Sequence, residues 1–124
     1  MYQTVLVPNN ASSLSFIYDV VSEEPMEYVG TQFDDIFSVD ILNPDGLVLD
    51  NLAYESVNTS EWFAVDGIDF PNGDHTTYHT RWKTVTSEGI SKYRGQLIVL
   101  RFTVQDSGDS IYDTAALVDS VKIA

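Results

Sequence analysis

Hydrophobic residues recur at every second position along much of this chain. That spacing fits a pleated strand with one buried face and does not fit a helix. In Leu14 to Val20, one face carries Leu14, Phe16, Tyr18 and Val20. In Phe33 to Leu42, one face carries Phe33, Phe37, Val39 and Ile41. In Leu97 to Val104, Ile98, Leu100, Phe102 and Val104 point one way, and Arg101 and Thr103 the other. In Ala115 to Ile123, Leu117, Val121 and Ile123 share a side. Shorter strands are expected at Thr4–Val7, Leu47–Leu49, Trp62–Val65 and Trp82–Thr86.

Turn chemistry separates these runs. Asn43-Pro44-Asp45-Gly46 and Pro71-Asn72-Gly73-Asp74 combine proline with glycine at turn spacing, and Ser107-Gly108-Asp109-Ser110 is a polar connector. About eight short strands with frequent turns predict an all-β, two-sheet β-sandwich of the jelly-roll kind. The 124 residues fit a single domain spanning 1–124, and a hydrophobic fraction of 44% supplies one core. The least regular stretch runs from Asn51 to Thr80.

There is no cysteine, which excludes a disulfide framework and thiolate chemistry. No apolar run approaches the ~20 residues that a membrane-crossing helix needs. Met1 to Val7 lacks the basic start and apolar stretch of a signal peptide, so the expectation is a domain excised from a larger secreted protein. Asp and Glu number 19 against 6 Lys and Arg, for a formal net charge of -13. Nucleic acids and anionic membranes demand basic surface and are poor partners for such a chain. Two readings of the acid excess remain: a surface adapted to a salty or extracellular medium, and carboxylates gathered around a hard cation such as calcium.

Some acids occupy strand positions. Asp35 shares parity with Phe33, Phe37 and Val39, and Asp113 and Asp119 share it with Ala115, Leu117, Val121 and Ile123. A buried carboxylate is costly unless paired, hydrogen-bonded or bound to metal. With six basic residues in the chain, ion pairing is not expected to serve all of them. A structural calcium ion is therefore expected near Glu23, Glu24, Asp35 and Asp113, although the spacing is not that of an EF-hand loop. Asp119, mid-strand and core-facing by parity, is expected to be structural, satisfied by backbone amides or a nearby hydroxyl and away from any ligand.

Two segments carry a resemblance. Phe16-Ile17-Tyr18-Asp19-Val20-Val21-Ser22-Glu23-Glu24-Pro25, continuing through Tyr28-Val29-Gly30 to Phe33-Asp34-Asp35-Ile36-Phe37, resembles the first half of bacterial choice-of-anchor extracellular domains. Trp82 to Thr86, Tyr93-Arg94-Gly95-Gln96, Leu100-Arg101-Phe102, Asp106 to Ala115 and Leu117-Val118-Asp119 resemble their second half. The same segments are similar to the closing strands of calcium-containing jelly-roll carbohydrate-binding modules. The resemblance implies an extracellular appendage on a secreted or surface protein, such as a glycoside hydrolase or an adhesin. It also implies a plant-type β-glucan as the ligand class.

Sugars present flat apolar faces rimmed by hydroxyls, so a sugar site needs exposed rings flanked by polar groups. The candidates are Trp62, Trp82, Tyr78, His75 and His79, with Asn72, Asp74 and Arg81 beside them. Against this stand plainer assignments: Trp62 and Trp82 as core tryptophans, Tyr78 and His79 as surface decoration. Catalysis has little support. Both histidines lie close together, and no nucleophile elbow, zinc-protease helix or phosphate loop occurs. The expectation is a non-catalytic module that binds a neutral polysaccharide through an aromatic platform. The alternative is a structural or adhesive module of a larger surface protein.

Overall fold

A computed structural model of the chain describes residues 1–22, 35–56, 60–65, 77–105 and 114–124. Its strands are β1 (Tyr2–Leu6), β2 (Leu14–Ser22), β3 (Ile36–Leu42), β4 (Val48–Ser56), β5 (Phe63–Val65), β6 (Thr77–His79), β7 (Lys83–Ser87), β8 (Leu97–Gln105) and β9 (Thr114–Ile123). One short 3-10 helix, Glu88–Tyr93, follows β7. The strands form two antiparallel sheets, the two-sheet sandwich that the alternation predicts. The first has the order β1-β8-β3-β4. In the second, β5 pairs β6, and β2 lies between β9 on one side and β6 and β7 on the other. β6 pairs with the end of β2 (Val21↔His79) and β7 with its beginning (Leu14↔Ser87), so the two are one strand position interrupted at 80–82.

Alternation builds the core. Leu14, Phe16, Tyr18 and Val20 of β2 meet Phe37, Val39 and Ile41 of β3 and Ile98, Leu100 and Phe102 of β8. Phe16 meets Phe102 edge-on at 6.1 Å between centroids, and Tyr18 lies 5.1 Å from Phe37. Ile90 of the 3-10 helix is buried in the same cluster. At the β3–β4 turn, Asn43 Oδ1 accepts the amides of Asp45 at 3.0 Å and Leu47 at 2.9 Å. Gly46 there has φ +92°, a conformation that favours glycine.

Three expectations need correction. Val104 has inward parity yet is 43% exposed, close to the end of β8. With Phe37, Phe102, Ala116 and Val118 it lines an open hollow of about 440 Å³. On β9 the expected face is reversed before Ser120: Ala116 and Val118 pack toward the core, whereas Leu117 and Asp119 are exposed. Beyond it Ile123 packs against the core as its parity predicts, and Val121 is 42% exposed. A one-residue bulge explains this: Ile17 pairs Asp119 but Ser15 pairs Lys122, and Ser120 takes φ 58°. The extra residue resets the alternation. Asp119 Oδ1 does accept a backbone amide, that of Ser120 at 2.7 Å, but on the solvent side of the bulge. Finally, β4 runs well beyond Leu47–Leu49. Its pairing with β3 slips twice, leaving Leu52 and Leu49 as extra residues, so no period-two pattern marks it in the sequence.

Candidate functional site

Among the described residues four carboxylates are buried, Asp19, Asp35, Asp40 and Glu55, and each has a partner. Phe37 pairs Glu55 across β3 and β4, so Glu55 faces inward with Phe37. There it accepts the Tyr18 hydroxyl at 3.1 Å and the Ser60 hydroxyl at 2.7 Å, and it forms a two-pronged ion pair with Lys83 Nζ. Asp40, on the outer face of the first sheet, bonds Arg101 Nη2 at 2.8 Å and Asn51 Nδ2 at 2.9 Å. Asp19, on the outer face of the second sheet, bonds His79 Nδ1 at 2.9 Å. Lys83 and Arg101 thus pair with Glu55 and Asp40, two acids that the sequence reading did not single out.

Burial, the Glu55 charge and the hydrogen bond to Glu55 together raise the Tyr18 phenol well above its ordinary pKa of 10.0. The folded state therefore holds this proton more tightly than the unfolded chain does. Its contribution to stability is complete below about pH 10 and is lost as pH rises beyond it. Alkaline melts should accordingly show wild-type stability falling more steeply above pH 10 than that of Tyr18→Phe. Parallel curves would contradict the assignment.

Of the expected metal ligands, Asp35 is buried and engaged at the start of β3. Glu23, Glu24 and Asp113 lie outside the described residues. Among the described residues, no group of three His, Asp or Glu is placed to hold a metal ion.

The expected aromatic platform divides between two faces. Trp62 is half-buried and packs against the core, and its Nε1 has no hydrogen-bond partner among the described residues. Tyr78 pairs Ser22, an inward position of β2, and so belongs to the same inner layer. His79 and Arg81 face outward, while Asn72, Asp74 and His75 lie outside the described residues.

Residues 80–82 form an elbow between β6 and β7. Thr80 is buried, its amide donating to Val20 O at 3.0 Å and its Oγ1 accepting the Val20 amide at 3.1 Å. The Thr80 hydroxyl donates to Arg81 O at 3.0 Å. Arg81 follows at φ 65°, left-handed backbone that costs a non-glycine residue about 1 kcal/mol or more. Its guanidinium carbon lies 3.6 Å from the centroid of the Phe63 ring, a cation–π contact. Trp82 comes next, 52% exposed. Lys83 then turns inward to Glu55. The backbone at Trp82 is thus flanked by the buried Thr80 and by the Lys83–Glu55 pair. The same outward side of the sheet carries His79, held by Asp19, and the exposed Thr84 and Thr86. An exposed ring on a face with hydrogen-bonding groups suits a flat, hydroxyl-rimmed ligand.

Comparison with protein-family models, with curated proteins and with solved structures finds no match.

Sequence reasoning selected Trp82, Arg81 and His79, which the fold gathers, but missed Asp19 and Thr80, which position them. Asp19 lies in a strand between core residues, and this was the available signal. Nothing in the sequence announces the left-handed backbone at Arg81.

Proposed function

We propose that this chain is a non-catalytic module that binds a neutral, β-1,4-linked glucan on the outer face of its second sheet, at the Arg81–Trp82 elbow. One observation carries the reading. A strained, left-handed Arg81 holds a large ring out in solvent, between two residues anchored in the interior. Strain of this kind persists where the surroundings enforce it, and it collects at functional sites. A tryptophan ring has only two side-chain rotations to freeze when a sugar stacks on it, so the ordering cost is small. Arg81, His79 and the threonines supply hydrogen bonds to hydroxyls, and a chain of net charge -13 accepts a neutral polysaccharide more readily than an anionic one. Under this reading the module is extracellular and is carried by a larger secreted protein such as a glycoside hydrolase.

Electrophoresis in a gel containing a soluble β-glucan tests it. Wild type should be retarded. Trp82→Ala should lose roughly tenfold in affinity, about 1.4 kcal/mol, with its melting temperature little changed. A wild type that no neutral glucan retards would refute the reading.

The proposal includes a structural calcium ion near Asp35, with Glu23, Glu24 and Asp113 as further ligands. Its support is the burial of Asp35 at the end of the sandwich. Calcium bound only by the native state adds stability by mass action, on the order of 3 kcal/mol at a hundredfold excess over its dissociation constant. Melts in calcium and in EDTA should differ by several degrees. Superimposable melts, with no metal by elemental analysis, would remove the ion from the account.

A further inference from the structure

We infer that β1 is an interface strand, through which two copies of this chain pair edge to edge. Met1 and Phe102 exchange both backbone hydrogen bonds at 2.8 Å, and the Val7 amide donates to Gln96 O at 2.9 Å. In an antiparallel ladder such bonded positions recur at every second residue. Gln3 and Val5 therefore also turn their backbone groups toward β8, and Tyr2, Thr4 and Leu6 turn theirs to the open edge of the first sheet. No described strand pairs β1 on that side. Such an edge invites a further strand unless it is short, charged, bulged or interrupted by proline. The other edges are protected in these ways. β4 slips twice and carries Asp50, β9 is bulged at Ser120 and carries Asp119 and Lys122, β7 starts with Lys83, and β5 has three residues. β1 has five residues in unbroken register, without charge, proline or bulge.

The strand matches itself, as a two-fold contact requires. In the antiparallel pairing centred on Thr4, Thr4 faces Thr4 of the other copy, and Tyr2 faces Leu6 of the other copy. Three amides from each copy then find carbonyls, six hydrogen bonds in all. Pro8, the next position turned to this edge, has no N–H and ends the ladder. The side chains brought together are exposed ones. Tyr2 is 69% and Leu6 63% exposed, and Thr4 is exposed between them. An aromatic ring opposite an apolar chain is a favourable cross-strand pair. On the inner side, Gln3 and Val5 border an open hollow of about 270 Å³ between β1 and the end of β9, so β9 does not close over the strand. Charge favours the same occupant. In a chain of net charge -13, the charged residues beside β1 are basic: Arg101 opposite Tyr2, already paired with Asp40, and Lys122 in the wall of the hollow. A second copy thus meets little of its own repulsion here, and a basic partner gains nothing. One strand per copy buries far less than the ~800 Å² per partner of a standard interface, so the dimer is weak and reversible.

Sedimentation equilibrium on the intact chain tests this. Dimer should appear at concentrations on the order of 0.1–1 mM, and more readily in about 0.5 M than in about 0.05 M salt, because salt screens the repulsion between the two chains as wholes. Thr4→Pro removes an amide that β8 does not use, so its melt should stay close to wild type while its dissociation constant rises at least about tenfold. Thr4→Asp, which sets two carboxylates opposite each other, should weaken the dimer as much. Amide hydrogen exchange separates this edge from any other contact. Exchange at Tyr2, Thr4 and Leu6 should slow as concentration rises, whereas Gln3 and Val5, bonded to β8, should be protected throughout. A wild type that stays monomeric at ~1 mM in high salt would overturn the inference. So would a dimer that both variants form like wild type, or one that leaves exchange at Tyr2, Thr4 and Leu6 unchanged.

Discussion

Replacing Lys83 with methionine should lower stability at pH 7 by about 3 kcal/mol, and adding Glu55→Gln should restore most of the loss. Glu55 is 5% exposed and faces the interior between the sheets. Its charge is balanced by the Lys83 ammonium, with Tyr18 and Ser60 supplying hydroxyl donors. Removing the ammonium leaves a buried carboxylate held by hydroxyls alone, the situation that costs about 3–5 kcal/mol when a buried pair is broken. Lys83 retains side-chain exposure of 40%, so water softens the loss toward the lower end. A glutamine at position 55 keeps the shape and the hydrogen-bonding capacity but removes the stranded charge. Urea titrations of the single and double variants decide the matter. If Lys83→Met and the double variant are equally destabilised, packing rather than charge accounts for the effect.

Phe16→Ala should cost about 4 kcal/mol, within the range for emptying a buried phenylalanine site. Phe16 lies in the middle of β2, 2% exposed, and its ring meets Phe102 of the opposite sheet as well as Tyr18. Its removal opens the centre of the sandwich, where both sheets are fixed by their own ladders and collapse is limited. At several degrees per kcal/mol for a domain of this size, the midpoint should fall by roughly 12–20 °C. Val104→Ala is the matched control. It has the same inward parity on β8 but looks into the open hollow, so its cost should stay below about 1 kcal/mol. Equal losses at the two positions would mean that the hollow is not open in solution.

The strands with unbroken alternation could be read directly: Leu14 to Val20, Phe37 to Ile41 and Ile98 to Phe102 supply the core that their parity predicts. The failures occur at irregular backbone. Parity counts residues, and one extra residue at Ser120 inverts every assignment on one side of it, which is why Asp119 and Leu117 lie outside. Two further slips hide β4 for the same reason. The candidate site was half legible. Composition pointed to Trp82, Arg81 and His79, but exposure is decided by backbone geometry, and Trp62 has the same residue type with its ring against the core. Parity did not single out the acids that ion pairing serves: Lys83 and Arg101 stand beside Glu55 and Asp40, each on a strand position that the sequence reading passed over.

The most direct test of the account is a ¹⁵N–¹H correlation spectrum of the intact chain, titrated with a soluble β-1,4-linked glucan oligosaccharide. The account predicts that the Trp82 indole N–H moves most, with the amides of His79, Arg81 and Thr84 moving alongside it. Resonances on the outer face of the first sheet should stay in place. No perturbation at several millimolar sugar, or perturbation confined to that other face, would contradict it.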